Sequence, residues 1–116
     1  MEKTIKIGGI DCRLKTSAAV PRLYRIAFNR DLIVDMDDLF KGTKEGGGLQ
    51  PENINTLEQF CYICHKHGDS TQPDTIEEWI EQFDDVGAIY IVLKDLVGLW
   101  NGEIEQKSTA KKKNVG

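Results

Sequence analysis

A pair of glycines near the start of the chain constrains the fold more than any other feature. Residues 3–7 and 10–15 flank Gly8 and Gly9, and apolar and polar side chains alternate in both runs. Ile5 and Ile7 come before the pair; Ile10, Cys12 and Leu14 come after it. A period of two marks a strand, and a tight turn with positive φ is what two glycines supply, so this segment predicts a β-hairpin. A lone hairpin is marginal in water. It must lie on something apolar, and the segments that follow read as helices.

Residues 19–32, AVPRLYRIAFNRDL, carry Val20, Leu23, Tyr24, Ala27 and Phe28 at i, i+3, i+4, i+7 and i+8, the spacing of one buried helix face. Pro21 suits a first helical turn, where a missing N–H does no harm. Thr16 or Ser17 is the expected cap of a helix starting near Ala18. The polar run from Asn29 to Asp31 predicts a break, with two helices meeting near Asn29 and Asp31 capping the second. Leu32, Ile33, Met36, Leu39 and Phe40 then continue an apolar face. Residues 42–51 contain four glycines and read as a flexible loop. They do not place the lysine and hydroxyl that a phosphate-cradling loop needs.

A third helix carries Ile54, Leu57, Phe60, Cys61 and Cys64 and ends near Gly68, the expected left-handed residue after it. Thr75 and Glu78 match a capping box before a stripe of Ile76, Trp79, Ile80 and Phe83. Residues 86–100 form the most apolar stretch. Val86, Ile89, Tyr90, Leu93, Val97 and Trp100 make one helical face, widened by Ile91, Val92, Leu96 and Leu99. Such width predicts a helix buried on two sides, or one that also meets another protein. The fold class is α+β and mainly helical, with the N-terminal hairpin packed on four to five helices. One globular domain is expected over residues 1–101, followed by a flexible, disordered basic tail over 102–116.

The chain is 40% hydrophobic and 29% charged, which places it among soluble globular proteins. No run of 18 apolar residues predicts a membrane span, and the first residues lack the apolar core of a signal peptide. The expected location is the cytosol. Three cysteines, an odd number, argue against a disulfide framework and for reduced thiols. The net charge is −4, and residues 102–116 hold four lysines against two glutamates, so the rest of the chain carries −6. A body of that charge repels phosphate, which argues against specific nucleic-acid binding.

Three clusters have chemical potential. Cys61-Tyr62-Ile63-Cys64-His65 matches the spacing of haem attachment, but that chemistry requires export. A redox dithiol would sit at a helix N-terminus, whereas these thiols lie late in a helix, where the dipole opposes thiolate. Cys61, Cys64 and His67 could supply three of four zinc ligands, the usual second pair being absent. The competing reading is two cysteines on a buried helical face. The run of acids from Asp74 to Asp85 reads as a solvated face or as a docking surface for a basic partner. Arg22, Arg25 and Arg30 lie off the apolar stripe and either pair with acids such as Asp31 or Asp35 or face a partner. No spacing announces a catalytic centre, and no cofactor is called for.

Pro21-Arg22-Leu23-Tyr24-Arg25, with Phe28, Arg30 and Asp31, set behind a hairpin and a short Ser/Ala-rich lead-in, resembles the tail assembly chaperones of long-tailed, siphovirus-like phages and prophages of Gram-positive bacteria. The resembling run covers residues 5–40, about a third of the chain; beyond it the likeness is one of pattern. The resemblance implies a non-enzymatic protein of the bacterial host cytoplasm that binds and solubilises the tape-measure protein. It also implies promotion of tail-tube assembly and absence from the mature virion. Its implied partners are the tape-measure protein and the tail-tube protein, the latter through a longer frameshifted form. Lys111-Lys112-Lys113 would suit an adenine-rich slippery sequence for such a programmed frameshift. The resemblance leaves room for a homo-oligomer and implies no membrane partner. It names no contact residues; periodicity nominates Arg22, Arg25, Arg30, Tyr90, Leu93, Val97 and Trp100. The alternative is a small zinc-binding regulatory or interaction module built on Cys61, Cys64 and His67.

Overall fold

The computed structural model describes residues 1–44 and 50–102, the side chains of 43 and 44 aside. It is a mainly helical α+β fold with the predicted hairpin at its N-terminus. β1 (Glu2–Ile7) pairs antiparallel with β2 (Ile10–Lys15), with Ile7 opposite Ile10 and Ile5 opposite Cys12. Gly8 and Gly9 take φ of +55° and +81°, the left-handed values a two-residue turn of this hand demands. Alternation then puts Ile5, Ile7, Cys12 and Leu14 on one buried face, while Ile10 stays at the exposed rim.

Six helices follow among the described residues: α1 (Val20–Phe28), α2 (Leu32–Lys44), α3 (Pro51–Gly68), α4 (Ile76–Ile80), α5 (Ala88–Ile91) and α6 (93–102). The break between α1 and α2 falls where the polar run predicts it. Asn29 adopts φ 55° and its N–H returns to the Arg25 carbonyl, closing α1. Asp31 then caps α2, its carboxylate accepting from the N–H groups of Ile33 (2.9 Å) and Val34 (3.3 Å). At the other end of α1, Ser17 accepts from the Ala19 N–H rather than from inside the helix.

α3 is the central element. The hairpin, α1, α2, α4 and α5 all contact it. Leu57, Phe60, Cys61 and Cys64 recur on its buried side and join Ile7, Leu14, Tyr24, Met36, Trp79 and Leu96 in one core. Aromatic rings run through that core from α1 to α4. Tyr24 meets Phe28 at 5.2 Å between ring centres, Phe28 meets Tyr62 at 6.3 Å, Tyr62 meets Trp79 at 5.5 Å, and Trp79 meets Phe83 at 5.1 Å. These are edge-on or tilted contacts, the favoured ring geometry.

Several expectations need correction. α2 runs on through Gly42 to Lys44, so the glycine-rich loop starts later than predicted; residues 45–49 of it, and 103–116 of the expected tail, lie outside the described residues. Ile33 is exposed, and Asp35 takes the inward position between Leu32 and Met36 instead, because i+3 from Leu32 is 35 and not 33. Ala27 is exposed and Leu23 half-buried, so α1 is anchored chiefly by Val20 and Tyr24. Gly68 is the last residue of α3 and has no left-handed φ; its role is close approach, since a Cβ there would lie 2.3 Å from the Arg13 carbonyl oxygen.

The largest correction concerns residues 86–100. They do not form one helix. Gly87 opens a single turn, α5, and Val92 (φ −93°, ψ 11°) breaks the chain before α6. The buried face is Ile89, Val92, Leu96 and Leu99, while Val86, Tyr90 and Ile91 point outward. Val92, Leu96 and Leu99, expected only to widen the face, thus make most of the inward stripe; Ile89 of the expected face joins them, and Ile91 of the widening set does not.

Candidate functional site

Two grooves and one polar network stand out. The first groove is made by the chain between α4 and α5. Thr75 caps α4, its hydroxyl accepting from the Glu78 N–H at 3.2 Å. Trp79 is driven inward and donates its indole N–H to His65 Nδ1 at 2.9 Å. Phe83 packs edge-on against the indole. Asp85 then accepts from the Gly87 N–H at 3.0 Å, a local turn that swings Val86 out to full exposure. α5 follows with Ala88 and Ile89 turned in, Tyr90 62% exposed and Ile91 71% exposed. Between this segment and α3 lies a groove of about 230 Å³, lined by Ile54 and Glu58 of α3 and by Phe83, Val86, Ile89 and Tyr90. Solvated side chains of this size, gathered beside a concavity, are what a protein-binding surface presents.

The second groove, about 350 Å³, runs between α1 and α3 and is lined by Leu23, Ile26, Ala27, Tyr62, Ile63 and His67 among others. Ile26 is 70% exposed above it. At its rim Ser17 Oγ and His67 Nε2 lie 3.0 Å apart, tying the lead-in of α1 to the end of α3. Burial, Lys15 and the N-terminal ammonium together lower the His67 pKa.

The polar network joins α1, α2 and α3. Asp35 is only 4% exposed and receives both Nε (2.8 Å) and a terminal nitrogen (2.7 Å) of Arg30, a bidentate pair. The Tyr24 hydroxyl donates to the same carboxylate at 2.8 Å, and the Gln59 side-chain amide sits 2.8 Å from that hydroxyl. Arg30 holds the Asp35 carboxyl below its ordinary range against the opposing effect of burial; burial, then Asp35, push the Tyr24 phenol up. A polar pocket of about 260 Å³ opens beside it, lined by Arg30, Asp35, Asp38, Asn53 and Gln59 among others. Every buried side-chain nitrogen and oxygen among the described residues has a hydrogen-bond partner. The network is therefore a brace across three helices.

The nominated residues divide accordingly. Arg22 and Arg25 are exposed on α1, and neither forms an ion pair among the described residues. Arg30 is committed to Asp35, and Asp31, the other acid considered for it, caps α2 instead. Tyr90 stands clear in the first groove. Leu93, Val97 and Trp100 are half-buried against the core, Trp100 meeting Phe60 edge-on at 5.7 Å. They do not share an outward face with Tyr90. The zinc constellation does not assemble: Cys61 and Cys64 are sealed in the core, His67 is held by Ser17, and no three metal-ligating side chains come together among the described residues. Burial raises the Cys61 thiol well above its usual pKa and pushes Cys12 up to about 11. Periodicity missed Ile91 and Glu58. Ile91 was placed only among the residues widening the apolar face and was not nominated as a contact, and nothing local in the sequence says that Glu58 lines a cleft.

His65 supplies a stability prediction. Accepting the indole N–H requires a neutral ring, and burial lowers its pKa from the ordinary 6.5. The unfolded chain then binds protons before the folded chain does, so stability is full above about pH 6.5 and falls as pH drops toward the folded pKa, by up to about 1.4 kcal/mol per pH unit per site. His67 acts in the same direction; Glu58, raised by burial, acts in the opposite one. Melting temperatures at pH 7.5 and 5.5 should drop further in the parent than in His65→Gln. Equal drops would refute the assignment.

Compared with protein-family models, curated proteins and solved structures, the chain matches none. Among the described residues, no helix is long and apolar enough to cross a membrane.

Proposed function

We propose that this chain is a tail assembly chaperone of a long-tailed phage or prophage, a non-catalytic protein that binds the tape-measure protein and keeps it soluble while the tail tube assembles. The observation that carries this reading is the groove beside α5, where Val86, Tyr90 and Ile91 expose apolar surface next to a concavity. A protein that shields another chain's apolar surface needs such surface of its own, held on a stable frame. The brace of Tyr24, Asp35, Arg30 and Gln59 provides that rigidity on the same stretch of α3, where Gln59 follows Glu58, and it engages three residues of the segment that resembles the chaperone family. On this reading the protein works in the host cytoplasm, meets the tail-tube protein through a frameshifted longer form and leaves before the virion is complete.

The test is capture of the client. On this reading a very long helical protein is encoded beside this gene, and fragments of it, expressed alone, should pellet. Co-expression with this chain should move it to the soluble fraction and co-purify it. Tyr90→Glu should reduce that yield several-fold while leaving the melting temperature within about 2 °C, since exposed substitutions cost little stability. A fragment that pellets equally with and without the chain overturns the proposal.

A further inference from the structure

The groove beside α5 contains one group that its apolar lining does not explain. Glu58 projects from α3 among Ile54, Phe83, Val86 and Ile89 and is partly buried. No hydrogen bond or ion pair holds its carboxylate among the described residues. Burial alone raises its carboxyl pKa. A carboxylate withdrawn from water without a partner is costly, and a cation delivered into the groove would offset that cost. The surroundings favour a cation as well. Asp85 lines the same groove, Glu81 and Asp84 are exposed nearby in the chain, and no basic residue lies between Asp74 and Leu93. The α1–α3 groove differs, because its Lys66 is already engaged by the Ser70 and Gln72 carbonyls and by Asp74.

The backbone context narrows the occupant further. The groove is built from α3, α4, α5 and the turn between the last two, so it offers no unpaired strand edge. An extended segment could gain no ladder hydrogen bonds there. A helix, whose own backbone groups are already paired, can use the groove for side chains alone.

We infer that the groove between α3 and α5 takes an amphipathic, basic helical segment of a partner protein, seating an apolar side chain between Val86 and Tyr90 and a lysine or arginine on Glu58. This rests on the chaperone reading only for the identity of the partner; the groove and its charge stand without it.

Three synthetic peptides of roughly 18 residues test this, a length that supports a helix. They share one leucine stripe and differ only at its flank, which carries lysine, glutamine or glutamate. Fluorescence anisotropy with the whole chain should rank them lysine, glutamine, glutamate in falling affinity. Glu58→Gln should weaken the lysine peptide about tenfold, the scale of one charge-assisted hydrogen bond, and leave the glutamine peptide within twofold. Circular dichroism verifies that the variant is folded. Equal affinity of parent and variant for the lysine peptide overturns the inference, as does no binding of that peptide at all. A self-association abolished by Tyr90→Glu, seen in sedimentation equilibrium, also overturns it, because a second copy would then be the occupant. Capture of the tape-measure fragment with no effect of Glu58→Gln on any peptide sinks this inference and leaves the chaperone reading standing; the reverse pattern sinks the chaperone reading alone.

Discussion

Trp79→Ala should destabilise the protein by about 3–5 kcal/mol, the range for deleting a buried aromatic side chain. Three effects combine. The indole is fully buried at the centre of the ring series, between Tyr62 at 5.5 Å and Phe83 at 5.1 Å, so its removal opens a cavity bounded by aromatic faces. His65 Nδ1 loses its donor and is left in the core without one. α4 is a helix of five residues that buries Trp79 and little else, so it loses its anchor. At about 4 °C per kcal/mol for a domain of this size, the melting temperature should fall by roughly 12–20 °C. Because α4 forms one side of the α5 groove, peptide binding should weaken along with stability. A drop below about 4 °C in differential scanning calorimetry would show that the indole is not the keystone described.

Gly68→Ala should cost about 1–3 kcal/mol, at the severe end for adding a single methyl group. The added Cβ would lie 2.3 Å from the Arg13 carbonyl oxygen and 3.2 Å from the Lys15 amide nitrogen, both backbone atoms of β2. A flexible side chain could move aside, but a paired strand cannot without disturbing its ladder, in which Arg13 sits opposite Thr4. The hairpin must lift from α3 or α3 must end earlier. Gly9→Ala serves as a control of a different kind: it meets open space and pays only for its positive φ. If Gly68→Ala melts with the parent, the hairpin and α3 are not packed as closely as described.

The contrast between these glycines shows how far the sequence could be read. Gly8 and Gly9 were legible because the turn they make is local, and alternation on either side fixes which residues face inward. Asp31 was legible as a cap for the same reason: it precedes an apolar run and its carboxylate reaches its own helix start. Gly68 was misjudged because two explanations, left-handed backbone and close approach, leave the same letter in the sequence. Only the position of β2 distinguishes them.

Residues 86–100 failed for a related reason. Eleven apolar residues in fifteen satisfy several helical stripes at once, so periodicity could not decide which was inward. The packing of α5 against α3 and the break at Val92 chose Ile89, Val92, Leu96 and Leu99, leaving Val86, Tyr90 and Ile91 to solvent. Arg30 was legible as a charge that pairs within the fold or faces a partner. Its bidentate grip on Asp35 emerged once α1 and α2 were set at their angle by Asn29.

The order of the elements, the hairpin, the α1–α2 break and the buried side of α3 follow from the sequence by itself, because each depends on neighbours within a few residues and on one dominant apolar stripe. The tertiary structure alone decided which apolar side chains remain in water, why Gly68 must lack a side chain, and that Glu58 stands in a cleft with no partner among the described residues. Those outcomes depend on distances between segments far apart in the chain, and local periodicity carries no information about such distances.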